Sequence, residues 1–302
     1  MEKIEIEKEL YLAQIHHSKS QFAEAVYYAS RVLSADADNR EALDILGFST
    51  MIFSDNDAAL GYLRRRIETH GGDAKVYSYL SLIYTRLGDK NLANKFFRLA
   101  SDSSEDMGVV WRYIARAYHE EGKEELARDC YEKSVEASPN IPNTWVALGA
   151  TYRKLGFLSG AEKAYNKALE LDPCYSEAWF NYGNLLCDLD RGAEGIEAYI
   201  KAIECNPHRY DAWNNLGCTY FEYGDCHNAK RAFIKALKIK PNYYRALFAL
   251  AKVWATLDQP SRSASALKLA IKYEPQRRET AKKEAHFDKY RNNPLFVQIL
   301  EK

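Results

Sequence analysis

Apolar positions along this chain recur at a fixed distance. Leu12, Leu46, Leu80, Ile114, Leu148, Tyr182, Leu216 and Leu250 follow one another every 34 residues. Directly behind them runs a series of small residues: Ala13, Gly47, Ser81, Ala115, Gly149, Gly183, Gly217, Ala251 and Ala285. A second small series, Ala25, Ala59, Ala93, Ala127, Ala161, Gly195, Ala229 and Ser263, is followed by bulky Leu63, Phe97, Tyr131, Tyr165, Tyr199, Phe233 and Leu267. Within each block the apolar residues keep helical spacing, and small positions beside large ones let two helices approach closely. Pro139, Pro173, Pro207, Pro241 and Pro275 punctuate the blocks, because proline disfavours helix just before it and favours a helix start just after. Between the helices lie "RLGD", "KLGF" and "EYGD", whose glycine suits a left-handed helix end. Each block therefore predicts helix, turn, helix, turn, in registers that begin at 6, 40, 74, 108, 142, 176, 210, 244 and 278.

Trp145, Leu148, Gly149, Tyr152, Ala161, Tyr165, Ala168 and Pro173 resemble the tetratricopeptide repeat (TPR) pattern site for site, and the likeness runs over about residues 6–290. The resemblance implies an all-α fold, a right-handed TPR superhelix (α-solenoid) of antiparallel helix pairs whose first helices line a concave groove. It also implies a non-enzymatic scaffold that binds peptides or other subunits. The expected organisation is an array of eight repeats over 1–277, then a capping helix and short apolar tail over 278–302. In the tail, Leu295, Phe296, Ile299 and Leu300 are expected to fold back on the last repeat. Departures gather in the first three registers: Ala37, Gly71 and Glu105 replace the proline, Arg66 stands at position 27 and Glu9 at position 4.

Composition narrows the function classes. Forty-two basic residues balance forty-two acidic ones, so no global field draws the chain to nucleic acid or an anionic membrane. No stretch is long and apolar enough for a membrane span, and the start lacks the pattern of a signal peptide, which predicts a cytoplasmic protein. Cys130, Cys174, Cys187, Cys205, Cys218 and Cys226 include no CxxC pair and predict reduced thiols, with no metal site or cofactor. GxGxxG, P-loop, HExxH and GxSxG motifs are absent, which argues against an enzyme.

The groove face then carries the functional reading. Asn181 and Asn215 share position 6 of successive registers, Asn184 is at position 9 and Asn214 at position 5. A carboxamide both donates and accepts, so a ladder of them can pair with an extended peptide backbone. Arg245 and Lys252 add charge beside them, and Phe180, Phe221 and Phe248 add apolar contact. Asn184, Asn215 and Arg245 resemble part of the carboxylate clamp of chaperone-binding TPR domains, but Phe180 and Ala249 replace its Lys and Arg. A second expected site is an acidic-ligand patch of Arg86, Arg112, Arg116, Arg153, Lys154, Tyr79 and Tyr113. The alternatives are a structural subunit that uses convex faces and ends, with self-association through array ends, and a single-stranded RNA binder. Position 2 of the groove shows no regular base-reading residue, which counts against the last of these.

Overall fold

The computed structural model describes residues 3–104 and 106–301. Met1, Glu2, Lys302 and Glu105, the position-32 residue of the third register, lie outside the described residues. The described residues form helices and no strand, and they divide into two compact units, residues 1–156 and 157–302.

The first unit holds α1 (Lys3–Ser18), α2 (Phe22–Ala35), α3 (Arg40–Ile52), α4 (Asn56–His70), α5 (Ala74–Arg86), α6 (Lys90–Asp102), α7 (Met107–Glu120), α8 (Glu124–Ala137) and α9 (Pro142–Lys154). Consecutive helices pack as hairpins. Asn39, Asp55 and Asp73 accept the N–H groups of Ala42, Ala58 and Val76, which satisfies donors that a first helical turn leaves open.

Arg66 shows how this unit tolerates its departures from the repeat pattern. Its side chain is 1% exposed, with Nε 3.0 Å from Asp44 and Nη2 2.8 Å from Asp73. It also donates to the carbonyl of Gly71, the residue standing where later registers have proline. After Pro139, Pro173 and Pro207 a position-4 indole serves the same carbonyl, with Trp145 Nε1 2.7 Å from the oxygen of Pro139. The first helix α5 also packs directly on α7.

The second unit holds α10 (Leu158–Leu171), α11 (Ser176–Asp188), α12 (Gly192–Cys205), α13 (Tyr210–Glu222), α14 (Cys226–Ile239), α15 (Tyr244–Thr256) and α16 (Pro260–Tyr273). Trp179 and Trp213 bond to the carbonyls of Pro173 and Pro207 at 2.8 and 3.1 Å. Each such bond fixes a first helix against the turn before it. The segment expected to form one capping helix instead breaks at Glu284 into α17 (Arg277–Lys283) and a 3-10 stretch, Ala285–Tyr290. The tail forms α18 (Pro294–Glu301), which packs on α16 and α17 with Phe296 fully buried.

One expectation from the cysteines needs correction. Cys174 and Cys205 form a disulfide, with Cα atoms 5.3 Å apart. Their separation of 31 residues carries no short motif, but stacking brings the turn before α11 beside the end of α12. Cys130, Cys187, Cys218 and Cys226 are free thiols. Burial pushes the thiols of Cys130 and Cys218 up to about 11, so neither is activated as a nucleophile.

Candidate functional site

In the second unit the asparagines of α11 and α13 meet. Asn215 Nδ2 donates to Asn184 Oδ1 at 2.8 Å, and Asn214 Nδ2 donates to Asn215 Oδ1 at 3.1 Å. The Tyr199 hydroxyl, from α12, donates to the same Asn184 oxygen at 2.8 Å. Gly183 makes room for that tyrosine, since a Cβ there would lie 2.7 Å from its ring. Asn184 Oδ1 is thus occupied twice, while the Asn184 amide N–H groups and the second Asn215 N–H are not engaged by these bonds. The ladder therefore presents donors, and its natural complement is a carbonyl or carboxylate oxygen.

The other expected residues divide between surface and core. Asn181 is half-buried on α11, one turn before Asn184. Asn214 is 5% exposed and its Oδ1 is buried without a hydrogen-bond partner, so it orders the ladder from beneath. Phe180 is half-buried, with the Arg209 guanidinium 4.4 Å above its ring and Tyr199 beside it. Arg245 is exposed, and its Nε lies 3.4 Å from the Tyr244 hydroxyl. The Arg245 bond, joined by one from Arg277, holds that phenol below its usual range.

The C-terminal segment covers the far end of this face. Phe248, expected in the groove, is 8% exposed and packs edge-on against Phe287, which makes it a core residue. Lys252 pairs with Glu284 at 3.5 Å, and Phe221 sits 5.3 Å from the His286 ring. Sequence reasoning missed Tyr199, Arg209, Glu284 and His286. Tyr199 was read only as a packing knob, and Arg209 lies in a turn outside the helical stripe.

The expected acidic-ligand patch does not assemble on one open face. α5 packs directly on α7, and several of the expected residues are taken up in the packing around that contact. Tyr79 is 1% exposed, 4.9 Å from the Phe48 ring and 6.2 Å from Tyr113. Arg86 pairs with Glu121 and donates to the Met51 carbonyl at 2.9 Å. Lys154 pairs with Glu124, and Arg112 donates to Asn143 at 3.2 Å. Arg116 lies 5.1 Å above Phe48 and donates to His17 Nε2 at 3.4 Å. Because a guanidinium only donates, that nitrogen is an acceptor and His17 is neutral. Burial, then Arg116 and Lys75, lowers its pKa to about 4. Ser20 donates to Glu120 at 2.8 Å and ties the first hairpin to the fourth. Arg153 lies half-buried at the end of α9. No described helix is long and apolar enough to cross a membrane.

The family model described as the cilia and flagella-associated protein 70 C-terminal domain matches residues 29–287. Among solved structures, a crystal structure of MamA is 27% identical, covers 56% of this chain and 97% of that one, and aligns with a TM-score of 0.50. MamA from Desulfovibrio magneticus RS-1 is 19% identical over 57% of this chain and 97% of that one, with a TM-score of 0.52. YrrB, described as a TPR protein with an unusual peptide-binding site, is 18% identical over 62% of this chain and 97% of that one, with a TM-score of 0.50. The last two show a shared fold. No curated protein matches the chain in sequence.

Proposed function

The chain belongs to the family of the cilia and flagella-associated protein 70 C-terminal TPR domain, an all-α interaction scaffold, and from that premise we propose that its second unit grips an extended segment of a partner protein. The amide ladder carries this reading. Asn184 and Asn215 keep amide N–H groups that the ladder bonds do not use, and such donors match the carbonyls of an extended backbone whatever its side chains. Arg245 supplies a cation near the same face for a carboxylate in the segment, beside Arg209, which pairs with Asp211 at 3.2 Å. Phe180 and Phe221 supply apolar walls, while Phe248 supports the wall from the core. YrrB offers a precedent for a peptide site on this fold.

The test is affinity capture from extracts of ciliated or flagellated cells, where the family name directs the search. The full chain is compared with its Asn184→Ala/Asn215→Ala/Arg245→Ala variant, and both are checked for cooperative unfolding. A protein captured by the first and lost from the folded variant supports the groove and names its occupant. Capture unchanged by the three substitutions overturns it.

A further inference from the structure

We propose that the groove between α16 and α18 docks an acidic amphipathic helix from a partner protein. Elsewhere in the second unit, the outer face of a second helix is covered by the next first helix, as α13 covers α12 and α15 covers α14. After α16 the described residues form α17, of 7 residues, the 3-10 stretch Ala285–Tyr290 and α18, of 8. A groove of about 810 Å³ is left over. Its floor combines Ala264 and Ile271 of α16 with Leu295 and Ile299 of α18, and Leu295 is 44% exposed.

Charge selects the occupant. Lys268, Lys272 and Arg278 rim the groove, and no carboxylate lines it. Among the described residues none of these three cations has a carboxylate within ion-pair distance, and Arg278 Nε is buried without a hydrogen-bond partner. Some cations elsewhere on the unit are answered inside the chain, as Arg191 is by Glu162 and Glu194.

Geometry selects a helix. The α16 stripe from Ser261 to Lys272 spans about 16 Å at 1.5 Å per residue, or three helical turns. A partner helix with apolar anchors at i, i+3 or i+4, and i+7 would fill the floor. Acidic residues on its flanks would meet the three cations.

The test selects from a displayed library of random peptides, each about 16 residues long to match the stripe, against the full chain. Enriched peptides are resynthesised and measured by fluorescence anisotropy and circular dichroism. The expected winners are net acidic, become helical on binding, and lose about tenfold in affinity against Lys268→Glu/Lys272→Glu and against Leu295→Ser, the range for one or two lost contacts. Replacing their acids with lysine should restore binding to the charge-reversed variant. Asn184→Ala/Asn215→Ala/Arg245→Ala should leave this binding intact, which separates it from the amide-ladder site. Peptides that are basic or extended, or indifferent to charge reversal, overturn the proposal. So does a groove that takes only anionic-lipid vesicles, or that closes by dimerisation abolished in Leu295→Ser.

Discussion

Arg66→Ala is the substitution that most directly tests how the first unit is held together. The guanidinium is 1% exposed and is shared between Asp44, whose side chain is 15% exposed, and Asp73, at 37%. Removing one member of a buried ion pair costs about 3–5 kcal/mol when the partner stays behind unpaired, but here Asp44 keeps Lys75 at 3.0 Å and Asp73 keeps Arg40 at 3.3 Å. Asp73 is open enough for solvent to screen it, which puts the expected loss at the lower end, about 3 kcal/mol. The assay is urea unfolding of the full chain followed by circular dichroism. With a slope of about 2 kcal/mol per molar urea, the transition of the first unit should move down by about 1.5 M. Arg66→Met should lose nearly as much despite keeping an apolar stem, and Arg66→Met/Asp44→Asn should recover part of the loss. A midpoint shift below about 0.3 M, or no recovery in the double variant, would mean that solvent already carries these carboxylates. The network would then not be what replaces the missing proline.

Two further outcomes follow from the site descriptions. His17 titrates at about 4 in the folded chain and near 6.5 unfolded, so it contributes nothing above pH 6.5, where both states are neutral. As pH falls from about 6.5 to about 4 the unfolded chain takes up a proton that the folded chain refuses, so stability should drop by about 3 kcal/mol. His17→Gln should flatten that part of a stability–pH curve, and an unchanged slope would contradict the buried neutral imidazole. The Cys174–Cys205 bridge closes a loop of 31 residues, and Cys174→Ser/Cys205→Ser should destabilise the second unit by about 3–4 kcal/mol. Identical unfolding curves with and without reductant would remove it from the account.

Much of this architecture was legible because close packing repeats. A small residue such as Gly183 or Gly217 must recur wherever Tyr199 or Phe233 crosses it, and the spacing records that requirement directly. The asparagines were legible as a cluster because positions 6 and 9 of neighbouring first helices share a face. Their polarity was not, since it depends on the Tyr199 hydroxyl arriving from another helix. Arg66 was visible as an intruder at a small-residue position, but its three acceptors lie on α3 and in the turn after α4. The packing of α5 on α7 was not legible, because a register does not state how closely neighbouring first helices approach. Phe248 was misplaced for a related reason. Its register position points to the groove, while the irregular segment carrying Phe287 decides what covers it.

The indole-to-proline bonds give the second unit a direction. Trp179 and Trp213 each reach back across a turn to the preceding hairpin, so those junctions are keyed in sequence. At the next junction the place of the indole is taken by Leu247, which has no side-chain N–H to offer Pro241. The hairpin of α15 and α16 is therefore held on one side by apolar packing, Leu250 and Val253 with Phe233 and Ala236, and on the other by Phe287 on Phe248 and Lys252 on Glu284. In a stack stabilised by nearest neighbours, the weakest junction sets where separation begins. Loosening the C-terminal segment would strip one of the two packed sides from the last hairpin and, in the same event, uncover the end of the asparagine face, so the reach of that face depends on whether its terminal latch is shut.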